Sequence, residues 1–111
     1  MKGWNDLNSL EQFQEILERS SQQTIVVFKH STRCSISTMA QRRLLDLNTA
    51  QHPQTAFYYL DLIAYRAVSN QIAETLSEEH KSPQILVIKD QSCVYEASHM
   101  EISQRELLEF I

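Results

Sequence analysis

Cys34 lies in the stretch Phe28-Lys29-His30-Ser31-Thr32-Arg33-Cys34-Ser35-Ile36-Ser37. An apolar, β-branched run, Thr24 to Phe28, precedes it, and a segment with helical spacing begins near Ser35. A sulfur at such a junction is expected to meet the free N–H groups and positive dipole end of a helix start. Both favour a thiolate, the form of cysteine that acts as a nucleophile. Ser37 stands three residues on, where a dithiol reaction needs a second cysteine. A hydroxyl can donate a hydrogen bond to a thiolate, but it cannot close a disulfide. The stretch therefore supports half of a dithiol reaction. Cys34 attacks a mixed disulfide and keeps the thiol it removes, until an outside thiol releases it. Lys29, His30 and Arg33 are close enough in sequence to support a thiolate electrostatically. Ordinary surface charge is the plainer reading for Lys29 and Arg33, because proximity in sequence does not fix direction.

The other reactive side chains point less clearly to chemistry. Cys93 is expected to be a small buried hydrophobe rather than a resolving partner. His30 and Cys34 are four apart and His80 is a conceivable third ligand, but structural zinc uses four ligands in paired close spacings. No metal site is expected. Glu78 and Glu79 read as a solvated run, Tyr58 and Tyr59 as strand residues, and His52 and His99 as turn and loop residues.

The elements that must position Cys34 follow from periodicity. Ser9 and Gln12 form a capping box for a helix whose Leu10, Phe13, Ile16 and Leu17 share one face, with Trp4 and Leu7 packing near its start. Thr24 to Phe28 is continuously apolar, as in a central strand buried on both faces. Ile36, Ala40, Leu44 and Leu47 make a helical stripe with Arg42, Arg43 and Asp46 outside it, ending by Asn48 to Gln51. His52-Pro53-Gln54 is a turn, and Ala56 to Leu60 a second strand closed by Asp61. Tyr65, Val68, Ile72 and Leu76 mark the third helix. After a charged loop, Pro83 opens the strand Gln84 to Ile88. Cys93 to Ala97 alternates as an edge strand, with Cys93, Tyr95 and Ala97 on one face. Ser103 and Glu106 cap a last helix buried through Leu107, Leu108 and Ile111. The order α-β-α-β-α-β-β-α implies an α/β fold: a four-stranded mixed sheet flanked by helices, as one domain over 1–111.

Composition narrows the function. The 111 residues carry 10 basic and 14 acidic side chains, a net charge of −4, which speaks against a general nucleic-acid binder. No apolar run approaches a membrane span. The first residues lack the pattern of an export signal, so a reducing cytoplasm is expected, where structural disulfides are rare.

Several spaced motifs together resemble one family. Lys29-His30-Ser31-Thr32-Arg33-Cys34-Ser35-Ile36-Ser37 is similar to the active-site stretch of the YtxJ-type monothiol bacilliredoxins, which typically reads K-H-S-T-x-C-P-I-S. The segment Leu60 to Ala73, the run His80-Lys81-Ser82-Pro83-Gln84 and the pair Ser98-His99 resemble further family motifs in the same order. Ser35 departs from the pattern, which has proline there, a residue that pre-sets a helix start. The resemblance implies a thioredoxin-like fold and a cytoplasmic, monomeric oxidoreductase with no bound cofactor. Its co-substrate would be the low-molecular-weight thiol bacillithiol, and its clients bacillithiolated proteins. It implies a cis Ser82–Pro83 bond facing the cysteine, with Ser82 backbone pairing to a ligand; without it a trans bond is expected, since only about 5–6% of X–Pro bonds are cis. His30 and His80 fall on family positions that could orient the thiolate or bind ligand. Two other readings are a non-catalytic thioredoxin-like binding or stress protein and an iron–sulfur carrier of the monothiol glutaredoxin type. The C-G-F-S motif of the latter is absent.

Overall fold

The structure, a computed structural model, describes all residues 1–111. Its strands are β1 (Asn5–Asp6), β2 (Thr24–His30), β3 (Thr55–Asp61), β4 (Gln84–Lys89) and β5 (Ser92–Ser98). Its α-helices are α1 (Leu10–Arg19), α2 (Ser35–Leu44), α3 (Arg66–Leu76) and α4 (Gln104–Leu107). The strands form one sheet in the order β1-β3-β2-β4-β5. β2 runs parallel to β3 and antiparallel to β4, so the sheet is mixed and β2 is central.

Each sheet face carries its own core. Ile25 and Val27 of β2 join Phe13, Ile16, Val68 and Ile72 beneath α1 and α3. Val26 and Phe28 point the other way, to Ala40, Leu44 and Leu107 beneath α2 and α4. An unbroken apolar run reads this way because alternate residues serve opposite cores.

The structure corrects the sequence reading at several places. There are five strands, not four: Asn5–Asp6 pairs with β3, and the Leu7 N–H donates to Tyr59 O at 2.9 Å. Two exposed polar residues carry no periodic signal. Trp4 packs on the α2 side of the sheet against Phe28 and Phe57, away from α1. Leu10 is exposed. α2 ends at Leu44, and a separate 3₁₀ turn covers Thr49–Gln51, capped by Asn48. Its buried stripe uses Ser37 where Ile36 was expected, and Ile36 is exposed. Arg43 is not an outward residue: its guanidinium donates to the carbonyls of Ile102 and His99. α4 is one turn long, and Leu108 is exposed. Both capping boxes close by half. Ser9 and Ser103 accept from the N–H groups of Gln12 and Glu106. The Gln12 side chain instead accepts from Asn8 N–H, and the Glu106 carboxylate accepts from Tyr95 OH.

A β-bulge changes the position of Cys93. Val87 pairs with Tyr95 but Ile88 pairs with Cys93, so Val94 is an extra residue in β5. One added residue reverses which face the chain presents. Cys93 consequently packs on the α1/α3 core, while Tyr95 and Ala97 pack on the α2 core. The alternation expected to put Cys93 and Tyr95 on one face breaks at Val94.

Candidate active site

Cys34 is the N-cap of α2, with extended backbone (φ −108°, ψ 125°) and a half-exposed side chain. The turn that presents it is closed by hydrogen bonds. Cys34 N–H donates to Ser31 O at 3.2 Å, and Ser31 N–H donates to Ser37 Oγ at 3.2 Å. The Cys34 carbonyl accepts from the N–H and the hydroxyl of Thr38. Ser37 is fully buried. Its hydroxyl oxygen fastens the active-site turn to the helix behind it, and its proton remains to be donated.

The charged residues near Cys34 in sequence diverge in space. β2 runs on to His30, so Lys29 and His30 are strand residues on opposite faces. His30 lies on the α2 side, its ring against those of Phe28 and Tyr59. It is buried with Nδ1 unpartnered, and burial lowers its pKa despite the nearby Asp61 carboxylate. Lys29 is wholly enclosed on the α3 side, where its Nζ donates to Ser69 O at 3.1 Å and lies 3.5 Å from His80 Nδ1. Burial holds the Lys29 ammonium down at about 8. Arg33 is exposed beside Cys34, as is Ser35. His30 and His80 stand on different faces of the sheet, and nowhere do three or more His, Cys, Asp or Glu side chains gather within reach of one metal ion.

The Ser82–Pro83 bond is cis, and it opens β4 next to the C-terminal end of β2, where Lys29 pairs with Gln84. Neither the N–H nor the C=O of Ser82 is hydrogen-bonded to another backbone group, and Ser82 Oγ is buried without a partner. A backbone edge left open in this way is suited to receive another extended chain. The bend is held on the α2 side by a link that sequence reasoning missed. His99 N–H donates to Pro83 O at 3.0 Å, and His99 O accepts from Arg43 of α2 at 2.8 Å. The departure of Arg43 from the apolar stripe gave no sign of this.

Cys93 is remote from this site. It pairs with Ile88, which pairs with Ile25 near the start of β2, whereas Cys34 follows the end of β2. Five residues of strand separate those ends, roughly 17 Å. A disulfide needs Cα atoms within about 7 Å. Both cysteines are free thiols. The Cys93 thiol is pushed up to about 11 by burial and by the Glu78 carboxylate.

With that geometry in place the family can be assigned. Residues 5–107 match the family model described as monothiol bacilliredoxin BrxC. The chain belongs to this family. It is a thiol–disulfide oxidoreductase with a thioredoxin fold. Among solved structures it is similar to a putative oxidoreductase with a thioredoxin fold: 26% identity, TM-score 0.83, over 96% of this chain and 92% of that one. It also resembles Fasciola hepatica thioredoxin, at 17% identity and TM-score 0.72 over 95% and 93% of the two chains. Thioredoxin O1 of Arabidopsis thaliana in its oxidised state matches at 17% identity and TM-score 0.72, over 96% and 95%. The two thioredoxins speak for the fold alone. As a bacilliredoxin the chain is expected to work with a low-molecular-weight thiol and with thiol-bearing clients. No helix is long and apolar enough to cross a membrane.

Proposed function

We propose that this bacilliredoxin removes bacillithiol from mixed disulfides on client proteins. The Cys34 thiolate attacks the bacillithiol sulfur of the client's mixed disulfide. The client cysteine leaves as a thiolate, and Cys34 becomes disulfide-bonded to bacillithiol. A second thiol from solution attacks the bacillithiol sulfur and takes it away as a new disulfide, returning Cys34 as a thiolate. One disulfide is passed along and none is lost: the client sulfur returns to a thiolate, and the outside thiol ends in the disulfide with bacillithiol.

The observation that carries this reading is the isolation of Cys34. Its +3 position is a serine tied into the active-site turn, and the other thiol faces the opposite core. In this arrangement Arg33 offers a cation to the carboxylates of bacillithiol or to the thiolate, and Ser37 a hydroxyl to the sulfur. The open backbone of Ser82, beside cis Pro83, pairs with the incoming ligand. His30 supports the site from the α2 side as a neutral ring. A reducing cytoplasm and a monomeric state complete the proposal.

The test is incubation with a bacillithiolated client peptide, followed by intact mass. We expect a bacillithiol adduct on Cys34 that a second thiol removes. Absence of the adduct, with the client still capped, overturns the assignment of substrate.

A further inference from the structure

Lys29 is a fully enclosed ammonium on the central strand, next to the apolar run Ile25 to Phe28. The ion pair in this chain, Lys81 to Glu96, does not involve it. A buried charge without a counter-charge is costly, and apolar residues of similar volume often stabilise such sites. Stability therefore does not account for a lysine here, but its contacts suggest another role. Its Nζ joins α3 through Ser69 O and the loop after α3 through His80 Nδ1. Ser69 Oγ reaches the same nitrogen at 3.1 Å. An ammonium can only donate, so its contact with Nδ1 needs that nitrogen as the acceptor; burial, then Lys29 and Arg66, lower the pKa of His80.

His80 stands two residues before Ser82. The remaining ties of this segment are to β4 and β5. Gln84 Nε2 donates to Glu79 O at 3.1 Å and to Glu96 Oε2 at 2.9 Å, and Lys81 reaches Glu96 at 3.9 Å. Beside the backbone pairing of Gln84 with Lys29, the contact of Lys29 with His80 is thus a side-chain link between the segment before the bend and β2, the strand that leads to Cys34. We propose that Lys29 is a positioning residue for exchange: through His80 it fixes the Ser82–Pro83 bend where the mixed disulfide lies against Cys34. The proposal rests on the docking role given above to the Ser82 backbone. Lys29 then acts on docking and leaves the sulfur itself alone.

The test compares Lys29→Met, His80→Leu, His80→Asn and the double variant Lys29→Met/His80→Leu. Each is given one client peptide capped either with bacillithiol or with 2-mercaptoethanol. Exchange kinetics are read beside the rate of Cys34 alkylation by iodoacetamide across pH. Lys29→Met and His80→Leu are each expected to lower kcat/KM about tenfold, chiefly through KM. The double variant should be no worse than His80→Leu, because that change already removes the Lys29 contact together with the Ser69 one. His80→Asn keeps an acceptor near the place of Nδ1 and should recover most of the loss. Alkylation should keep its wild-type rate and pH midpoint throughout.

Wild-type exchange in Lys29→Met overturns the proposal, as does alkylation slowed in step with exchange. Losses that multiply in the double variant also overturn it. If Lys29→Met does not fold, the His80 pair decides, and equal exchange by His80→Leu and wild type overturns the link. A wild-type protein that clears only the 2-mercaptoethanol cap refutes bacillithiol as substrate, and the Lys29 comparison is then decided on that cap.

Discussion

Cys93 Sγ donates to the Tyr95 carbonyl at 3.2 Å, packs among apolar side chains and is held protonated near neutral pH. Cys34 stands half-exposed at a helix start. Exchange is expected to vanish in Cys34→Ser and to be unchanged in Cys93→Ser, measured by turnover of a mixed-disulfide peptide with an outside thiol. Loss of cycling in Cys93→Ser would restore it as a resolving residue. Lys29 gives a second prediction at this scale, on stability. Its pKa falls from 10.5 in the unfolded chain to about 8 in the folded one. Below pH 8 the group is charged in both states, and folding bears the full cost. Between pH 8 and 10.5 the unfolded chain holds more of the proton, so raising the pH relieves that cost. Lys29→Met should therefore be the more stable protein at pH 7, by on the order of 3 kcal/mol. That advantage should shrink between pH 8 and 10.5 in denaturant titrations of the two proteins side by side. A constant difference would mean that the ammonium is not the source.

At the scale of elements, α2 begins without the proline its family carries. Cys34 already has the extended φ and ψ that a residue before proline prefers, and Ser35 is exposed at the first helical position. Ser35→Pro should fit without strain and stabilise the fold by about 0.4–1 kcal/mol, through a less flexible unfolded chain. Thermal melting checks this, and a lower midpoint would show that the turn from Ser31 to Cys34 resists the change. The long elements were legible because burial sets their period: β2, α3 and β4 stand close to where apolar spacing put them. β1 was not, since two residues have no period and depend on a partner strand. The end of α2 was misjudged because Leu47 is buried from a turn as well as it would be from a helix. The bulge at Val94 was invisible because alternation looks the same whether or not the partner strand keeps step. Within the site, Cys34 and its serine partner Ser37 could be named from the sequence. The direction of Lys29 could not, because the strand was read as ending at Phe28, before the alternation that buries it.

At the scale of the whole molecule, the sheet divides the chemistry. Cys34 caps α2, whose side of the sheet also holds His30, Arg43 and His99, while Lys29, Ser69, His80 and Cys93 belong to the α3 side. The Ser82–Pro83 bend lies between them, tied to α2 through His99 and to α3 through His80. Arg43→Met should loosen the first tie without touching the second. Amide hydrogen exchange at His99 and Ile102 is expected to quicken while that of β4 stays slow. Uniform quickening would mean that Arg43 supports the whole fold. The placement of Cys93 also decides how the protein meets peroxide. Oxidation of the Cys34 thiolate gives a sulfenic acid, and no neighbouring thiol in the chain can condense with it. Until an outside thiol caps it, the next oxidant molecule carries it to sulfinic acid, from which simple thiols do not recover it. In the proposed cycle the small thiol that completes turnover is then also a protective cap, and peroxide treatment with and without it should give different masses on Cys34. A protein of this design is only as durable under oxidants as the thiol pool around it.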